Sequence, residues 1–443
     1  MDQIAQYVEL AADWFALPLV IVVMGTAIFF TIRLRFVQFR RFGEAVRETI
    51  ASRQSGASGA ISPLQAFMTA LAATIGTGNI AGVATAIVSG GPGALFWIWC
   101  YGILAMSTKF AEASLGMHFR VANGDEVLSG PMYYLRDGLK SPLLGGIFAL
   151  VAGIGVLLTT PLSQPNSVAV VLKSEFNFPP LIVGIVLAVL TWLVIVRGIK
   201  SIGRASEKLS PLKVGLYLIG GAIVIVTHIT QLPEVLALVF RSAFTAHAAV
   251  GGTVGFSVMM AMRYGIARGV YANEAGYGTA AVAYGTAKSQ RPEQQGLAAM
   301  MDVFIISFIT SSISAMSILL TGVWKAGQTS SAVVAEAFNT SIPTYGGWMV
   351  AISVFLFGYT VLIGWEYYGE QFFEYLFGPR VIVPFRWVYC LLIPLGAVSK
   401  VNAVWAWGDI FNGLQVFPNV IGLIGLSGIA AAYARSRPKS DEK

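Results

Sequence analysis

Long apolar runs alternate with short polar segments along most of this chain. Runs that approach or exceed ~20 residues are typical of helices that cross a bilayer. The pattern predicts eleven such spans, at residues 14–32, 63–89, 93–119, 143–172, 180–196, 210–229, 250–268, 296–324, 345–376, 383–398 and 403–433. The predicted fold class is therefore an all-α polytopic membrane protein.

One span is interrupted in its middle by glycines and polar residues. The stretch LAATIGTGNIAGVATA at 71–86 contains Gly76, Thr77, Gly78 and Asn79 in a row. Unpaired backbone groups are costly at membrane depth, so irregular backbone is tolerated there only where it lines a cavity or is buried in protein. This interruption is a candidate binding site. The alternative is that Gly78 and Gly82 form a GxxxG helix-packing motif without any ligand.

Setting aside the first span leaves ten, which divide into two sets of five at 63–229 and 250–433. Because five is odd, the second set must enter the membrane from the opposite side, which predicts an inverted repeat. The predicted units are an extra helix with a basic interfacial helix (1–62), two five-helix repeats (63–232 and 233–433) and a basic tail (434–443). The seventh span, GGTVGFSVMMAMRYGIARG, is also interrupted by glycines, and paired interrupted helices are typical of a midplane site.

Composition supports the membrane prediction and excludes a nucleic-acid partner. Hydrophobic residues make up 56% of the chain and charged residues 12%, whereas soluble domains carry about 25% charged residues. The net charge of +7 reflects topology, because an outside N-terminus puts 24 lysines and arginines on the inside and four on the outside. This asymmetry follows the positive-inside rule. The inside set includes Lys213, Arg263 and Arg268.

Three long motifs carry a family resemblance. IGTGNIAGVATAI followed by GGPGALFWIW, then STKFAEASLGMHFR, then RGVYANEAGYGTA closely resemble the alanine or glycine:cation symporter family, within the amino acid, polyamine and organocation superfamily. The resemblance implies sodium-coupled uptake of small neutral L-amino acids, alanine or glycine, with sodium as coupling ion and no cofactor. It also implies a fold similar to the bacterial leucine transporter with one extra helix in front. We expect a prokaryotic cytoplasmic membrane protein with an outside N-terminus and a cytoplasmic C-terminus.

The interrupted helix suits a zwitterion and a sodium ion. Its first half ends near Thr74 and Ile75 with free carbonyls, and its second half begins near Gly78 and Asn79 with free amides. The helix dipole gives these ends opposite partial charges, so a cation suits the first and a carboxylate the second. The predicted substrate ligands at the interruption are Thr74, Thr77, Gly78 and Asn79.

The fold resemblance also implies a sodium site beside the interruption. It uses the carbonyls of Ala72 and Ile75 and the hydroxyl of Thr360, in the sequence LFGYTVLIGW. Many relatives of the fold have a second hydroxyl where this chain has Val361, so we expect the carbonyl of Phe357 to complete the shell. The alternative is that Thr360 only bonds to the preceding helical turn.

Further candidates lie on other spans. In TTPLSQPNS, Pro161 and Pro165 predict a kink that presents Gln164 to the cavity, where its amide would bond the substrate ammonium; repair of the kink is the alternative. Helix seven contributes candidate pocket walls or gates, which can equally be ordinary packing residues: Phe256, Met259, Met260 and Tyr264.

Charged residues within apolar runs are functional candidates by default. Lys109 and Glu112 lie three apart and are predicted to pair, either as an inner gate or as a snorkelling lysine with a structural partner. Four carboxylates also lie within apolar runs and are candidates for proton transfer: Asp302, Glu366, Glu370 and Asp409. A proton-coupled symporter is therefore the first alternative. A membrane-embedded enzyme is disfavoured because HExxH and GxSxG motifs are missing.

Overall fold

The computed structural model of this chain describes residues 2–51, 59–123, 126–245, 258–325, 327 and 330–436. Nearly all of these residues lie in helices, which confirms the all-α prediction. The exception is a short antiparallel ribbon, in which β1 (Val121–Asn123) pairs with β2 (Glu126–Leu128).

The first part of the chain forms a long helix and the predicted interfacial segment. Helix α1 (Asp2–Arg33) packs against two later helices, α6 (Ala94–His118) and α19 (Val401–Gly425), and α3 (Phe42–Ala51) packs against α14 (Pro292–Phe304). Arg41 and Glu44 form a salt bridge at the start of α3. The bounds are α1 (Asp2–Arg33), α2 (Val37–Arg40) and α3 (Phe42–Ala51).

The next helices build the first predicted half of the protein. Their bounds are α4 (Pro63–Thr74), α5 (Ala81–Gly90), α6 (Ala94–His118), α7 (Pro131–Tyr133), α8 (Pro142–Phe176), α9 (Pro180–Ile195) and α10 (Ile199–Thr227). The second predicted half comprises α11 (Leu232–Phe244), α12 (Val258–Asn273), α13 (Thr279–Gly285), α14 (Pro292–Phe304), α15 (Ser311–Thr321), α16 (Ser331–Ser341), α17 (Gly346–Phe377), α18 (Ile382–Val398), α19 (Val401–Gly425) and α20 (Ser427–Arg435).

Six segments within the described residues are long and apolar enough to cross a membrane, and the number rises to eight if each of two bent helix pairs is one span. The bent pairs are α4 with α5, at 58°, and α19 with α20, at 63°. Two shorter apolar helices, Leu17–Arg33 and Pro180–Ile195, coincide with further predicted spans. The count of eleven and the inverted relation of the two halves remain predictions.

Helix α4 begins and ends for local reasons. Its N-cap is Ser62, whose hydroxyl accepts the Gln65 amide while the Gln65 side chain accepts the Ser62 amide, a reciprocal capping box. Its helical bonds stop at Ile75, and Gly76 is extended at φ −118°. The turn Thr77–Asn79 then leads into α5 and packs against α8, α12 and α17. The predicted interruption is therefore present, at the centre of the helix bundle.

Helix α8 continues through both of its internal prolines as one 35-residue helix. Asn166, between them and the C-terminus, donates hydrogen bonds to the carbonyls of Gly396 and Ser399 on the α18 side, at 3.1 and 2.7 Å. This amide is therefore used to attach α8 to α18. Gln164, two residues earlier and therefore on another face of the helix, remains available for the interruption.

Candidate functional site

A small cavity of about 20 Å³, enough for one water molecule, lies beside the α4–α5 interruption. Ligand pockets of this kind are concave and combine apolar walls with a few polar groups. The lining residues come from α4 and the turn after it, α8, α12 and the residue following it, α17 and α19: Ala73, Thr74, Gly76, Gly78, Thr160, Gln164, Tyr271, Glu274, Val361, Trp365 and Asn412. We call this space the central cavity.

Three predicted substrate ligands line the central cavity, namely Thr74, Gly78 and Gln164. Two others lie behind its wall. The Asn79 side chain donates to the Thr74 carbonyl at 3.1 Å and therefore braces the interruption itself. Thr77 is fully buried, and its backbone amide is the group that points toward α8.

The Thr77 amide donates a hydrogen bond to Gln164 Oε1 at 3.1 Å. A neutral carbonyl oxygen thus lies against the positive end of the second half-helix, where a carboxylate would be favoured. The prediction that Gln164 reaches the interruption agrees with this contact, although the group it bonds here is a backbone donor. A Cβ at Gly76 would lie 2.6 Å from Val361 Cγ2 and 3.1 Å from Gln164 Oε1, so only glycine fits between them.

At the carbonyl end of the same interruption lies a lysine. Lys213 Nζ donates hydrogen bonds to the carbonyls of Ala72 at 3.1 Å and Ile75 at 2.6 Å, and to the hydroxyl of Thr360 at 2.5 Å. The fourth predicted sodium ligand, the Phe357 carbonyl, accepts a hydrogen bond from Thr360 at 3.0 Å. The structure therefore brings the predicted oxygen atoms together, with an ammonium group among three of them.

This position corrects the assignment of Lys213 to an inside segment. The side chain has 0% exposure and lies within α10, one helical turn beyond Ser210, which is also buried. Burying a lysine requires hydrogen-bond acceptors for its charge, and three oxygens of α4 and α17 provide them. The positive-inside count includes this residue only because it follows a basic stretch.

A second interruption separates α12 from α13, at residues 274–278. The prediction placed it within 250–268, and that position is wrong for the described part, since α12 is continuous from Val258 to Asn273. Glu274, Gly276 and Gly278 all have positive φ, at 56°, 101° and 84°. The polar sequence NEAGYG is therefore a tight buried turn.

Lys109 and Glu112 bind the two ends of this second interruption. Lys109 Nζ donates to the Asn273 carbonyl at 2.8 Å, and Glu112 Oε1 accepts the amides of Gly276 and Gly278 at 2.8 and 3.1 Å. The prediction that the two side chains pair with each other is corrected by these contacts. The cation meets a helix C-terminus and the anion meets free amides, as the helix dipole favours.

The helix-seven candidates that the structure describes do not line the central cavity. Phe256 lies outside the described residues, and Met259 is 59% exposed on the outside of the bundle. Met260 and Tyr264 lie next to Gly90, at the far end of α5. Tyr271 and Glu274, two to four turns later, line the cavity instead. They were missed because the second interruption was placed too early in the sequence.

Glu274 brings a carboxylate into the central cavity. Its Oε1 accepts the indole N–H of Trp365 at 2.8 Å and its Oε2 accepts the hydroxyl of Thr279 at 2.7 Å. The residue is only 4% exposed and has a left-handed backbone conformation, which is uncommon for glutamate. A buried carboxylate on strained backbone is a typical functional group. The sequence signal was a glutamate beside two glycines in the motif YANEAGYGTA.

Aromatic and charged groups close the central cavity on the side of α19. The Arg268 guanidinium forms two hydrogen bonds to the Asp409 carboxylate, at 3.0 and 2.6 Å. It also lies 5.1 Å from the ring centre of Trp405, which is 4.9 Å from the ring of Tyr271. Arg268 was counted among the inside residues, but it is 8% exposed and belongs to α12. We call this group of four residues the Arg268 closure.

A wider space of about 350 Å³ opens beside the C-terminal half of α17. Its walls include Arg197, Lys200, Glu370 and Arg386, and we call it the vestibule. Arg386 forms a salt bridge with Glu370 and lies 3.7 Å from the carboxylate of Glu366. Two of the predicted intramembrane carboxylates therefore share one arginine at the inner wall of the vestibule.

The remaining intramembrane carboxylate, Asp302, lies behind the central cavity. Its Oδ2 is 3.4 Å from the Thr74 hydroxyl, and its Oδ1 has no hydrogen-bond partner among the described residues. Asp302 thus joins α14 to the end of α4. The structure separates the four predicted carboxylates into three locations and does not form a single proton pathway from them.

Comparison with known proteins identifies a common family. The model of the sodium:alanine symporter family matches residues 1–442. The sodium/alanine symporter AgcS of Methanococcus maripaludis is 38% identical over 94% of this chain and 93% of its own. The probable sodium/glutamine symporter GlnT of Bacillus subtilis is 33% identical over 97% of this chain and 90% of its own. A manganese transporter of Eremococcus coleocola has a similar fold, with a TM-score of 0.53 at 15% identity over 87% of this chain and 81% of its own.

Proposed function

Because this chain belongs to the sodium:alanine symporter family, we propose that it couples sodium entry to the uptake of small neutral amino acids, alanine or glycine, by alternating access. It is a secondary transporter and not an enzyme. The proposal that the substrates are small neutral amino acids rests on the central cavity, which combines little space with a helix N-terminus and a carboxylate.

The proposed substrate lies between the two interruptions. Its carboxylate takes the Thr77 amide, where Gln164 Oε1 now accepts, and its ammonium faces Glu274. A helix N-terminus favours the first group and a carboxylate the second. The side chain of the substrate meets Val361 and Trp365 of this small cavity, which favours a methyl group over a long side chain.

Alternating access requires that the cavity communicate with each side of the membrane in turn. In this proposal the Arg268 closure separates the central cavity from the outer surface, beside the first turns of α19. The vestibule lies further along α17, on the side of Arg197 and Lys200, which the charge pattern predicts to be inside. These features support a state that is closed toward the outside.

Uptake into proteoliposomes tests the coupling. Radiolabelled alanine should accumulate against its gradient when sodium is outside, and it should fail to do so when choline replaces sodium. Glycine should compete and glutamine should compete poorly, because its longer side chain would meet Trp365. A proton-coupled symporter, favoured by the carboxylate of Glu274 in the cavity, would instead accumulate alanine in choline medium when a pH gradient is imposed.

The proposed topology places the N-terminus outside and the C-terminus in the cytoplasm. Lys200 and Glu336 are exposed and lie on predicted opposite sides, so each is replaced by cysteine after removal of Cys100 and Cys390. A membrane-impermeant maleimide should label Glu336→Cys in sealed right-side-out vesicles and should label Lys200→Cys only after permeabilisation. The proposed arrangement of two inverted repeats at 63–232 and 233–433 would be rejected if both variants reacted in sealed vesicles, and the proposed orientation would be rejected if only Lys200→Cys reacted.

A further inference from the structure

The ammonium group of Lys213 has a complete set of hydrogen-bond acceptors. It carries three N–H donors, and three oxygens lie within 3.1 Å of Nζ, from Ala72, Ile75 and Thr360. The ring of Phe357 adds a favourable cation–π contact at 5.2 Å from Nζ to its centre. A fully buried lysine with all its donors used is a built feature of the fold and not a snorkelling side chain.

The same oxygens are the ones that a sodium ion would need. The carbonyls of Ala72 and Ile75 belong to the last turn of the first half-helix, where the dipole favours a positive charge. Lys213 supplies that charge at the position itself. An ammonium nitrogen 2.6 Å from the Ile75 carbonyl leaves no space for a second cation among these three oxygens.

The second interruption shows how this chain satisfies both ends of a broken helix. There Lys109 binds the carbonyl end and Glu112 binds the amide end, so both partial charges meet opposite charges of the protein. At the first interruption Lys213 binds the carbonyl end in the same way, but the Thr77 amide meets only the neutral oxygen of Gln164. One charge of the pattern, the anion, is therefore missing from the protein at the first interruption.

We propose that Lys213 is a tethered cation that takes the place of a sodium ion at the carbonyl end of the first interruption, so that only the amide end is left for a ligand, the carboxylate of the substrate. The role of the carboxylate rests on the proposed function, whereas the role of the ammonium does not. Sodium that drives transport then binds at other oxygens.

Counting bound sodium tests the proposal. Equilibrium dialysis with radioactive sodium is carried out on purified wild type, Lys213→Met, and Lys208→Met, which removes an exposed lysine from the same helix. Methionine keeps an unbranched chain of similar length but leaves the three oxygens without a cation. Lys213→Met should bind one sodium ion more per protein than wild type, and Lys208→Met should bind the same number as wild type.

Thr360→Val provides a second measurement, and its result in the wild-type background does not depend on how Lys213→Met folds. In the wild-type background it should leave the number of bound sodium ions unchanged, because the oxygen it removes serves the lysine. In the Lys213→Met background it should weaken the additional sodium site at least about tenfold. Loss of one sodium ion in Thr360→Val alone, or an unchanged sodium count in folded Lys213→Met, would overturn the proposal.

Failure of the proposed function gives a different result. If the protein were coupled to protons, wild type would bind no sodium, and Lys213→Met would still gain one site. If sodium coupling holds and the tethered cation does not, wild type would bind sodium and lose one ion through Thr360→Val. Failure of sodium coupling and failure of the tethered cation therefore give different patterns of sodium binding in the same experiment.

Discussion

Replacing Gly78 by leucine is expected to abolish alanine binding in a protein that still inserts into the membrane. A Cβ at this position would lie 2.8 Å from Cδ1 of Tyr271. That ring cannot easily retreat, because its hydroxyl bonds to Ser163 at 3.1 Å and its face packs on Trp405. The rest of the leucine side chain would extend into the central cavity. Calorimetric titration with alanine should detect no saturable binding.

Two alanine variants in the same interrupted helix provide the matched control. A Cβ at Gly82 would meet its nearest neighbours, on Arg268 and Trp405, at an ordinary 3.7 Å. Gly82→Ala should therefore bind alanine like wild type, whereas Gly78→Ala should bind about tenfold more weakly, since overpacking costs roughly 1–3 kcal/mol. Normal affinity in Gly78→Ala, with loss of thermal stability in Gly82→Ala, would favour the GxxxG packing interpretation instead.

The first interruption could be predicted because its signal is local. Glycines and polar residues occur together within one apolar run, and the chemistry of free helix ends depends only on the backbone. The sequence also indicated which oxygens would gather near Ile75, since the family resemblance aligned Thr360 with the end of α4. What it did not indicate was the group that binds them.

Lys213 was missed because its environment is created by distant residues. It follows a basic stretch at 197–208, so the charge pattern counts it with the inside residues. Its partners are 138 to 147 positions away in the sequence, at Ile75, Ala72 and Thr360. A lysine at the start of an apolar run is consistent with either an interfacial or a buried position, and only the packing of α10 on α4 and α17 decides between them.

The second interruption was misplaced for a related reason. Its sequence combines a charged residue with glycines, a composition that usually marks the end of a span. The charge is tolerated at depth because Trp365 and Thr279 donate to Glu274 and because Lys109 binds the preceding carbonyl. Trp365 and Lys109 lie far from the motif in sequence, so these hydrogen bonds to the buried turn could not be predicted from the motif alone.

Glu274→Gln is expected to weaken alanine binding by about 10- to 100-fold, because hydrogen bonds to charged groups contribute roughly 1.5–3 kcal/mol. The proposed partner of this carboxylate is the substrate ammonium. L-lactate has the carboxylate and methyl group of alanine but a hydroxyl in place of the ammonium, so it reports on that contact alone. Wild type should prefer alanine over lactate strongly in competition binding, and Glu274→Gln should lose most of that preference.

Thr279→Val separates this role from support of the fold. It removes one donor to Glu274 and keeps the carboxylate, so it should lower the affinities for alanine and lactate together and preserve their ratio. If Glu274→Gln behaved in the same way, with both affinities falling and the ratio unchanged, the carboxylate would act only by holding the second interruption in shape. A change in the ratio that is specific to Glu274→Gln places the ammonium of the substrate against this side chain, opposite the Thr77 amide that receives its carboxylate.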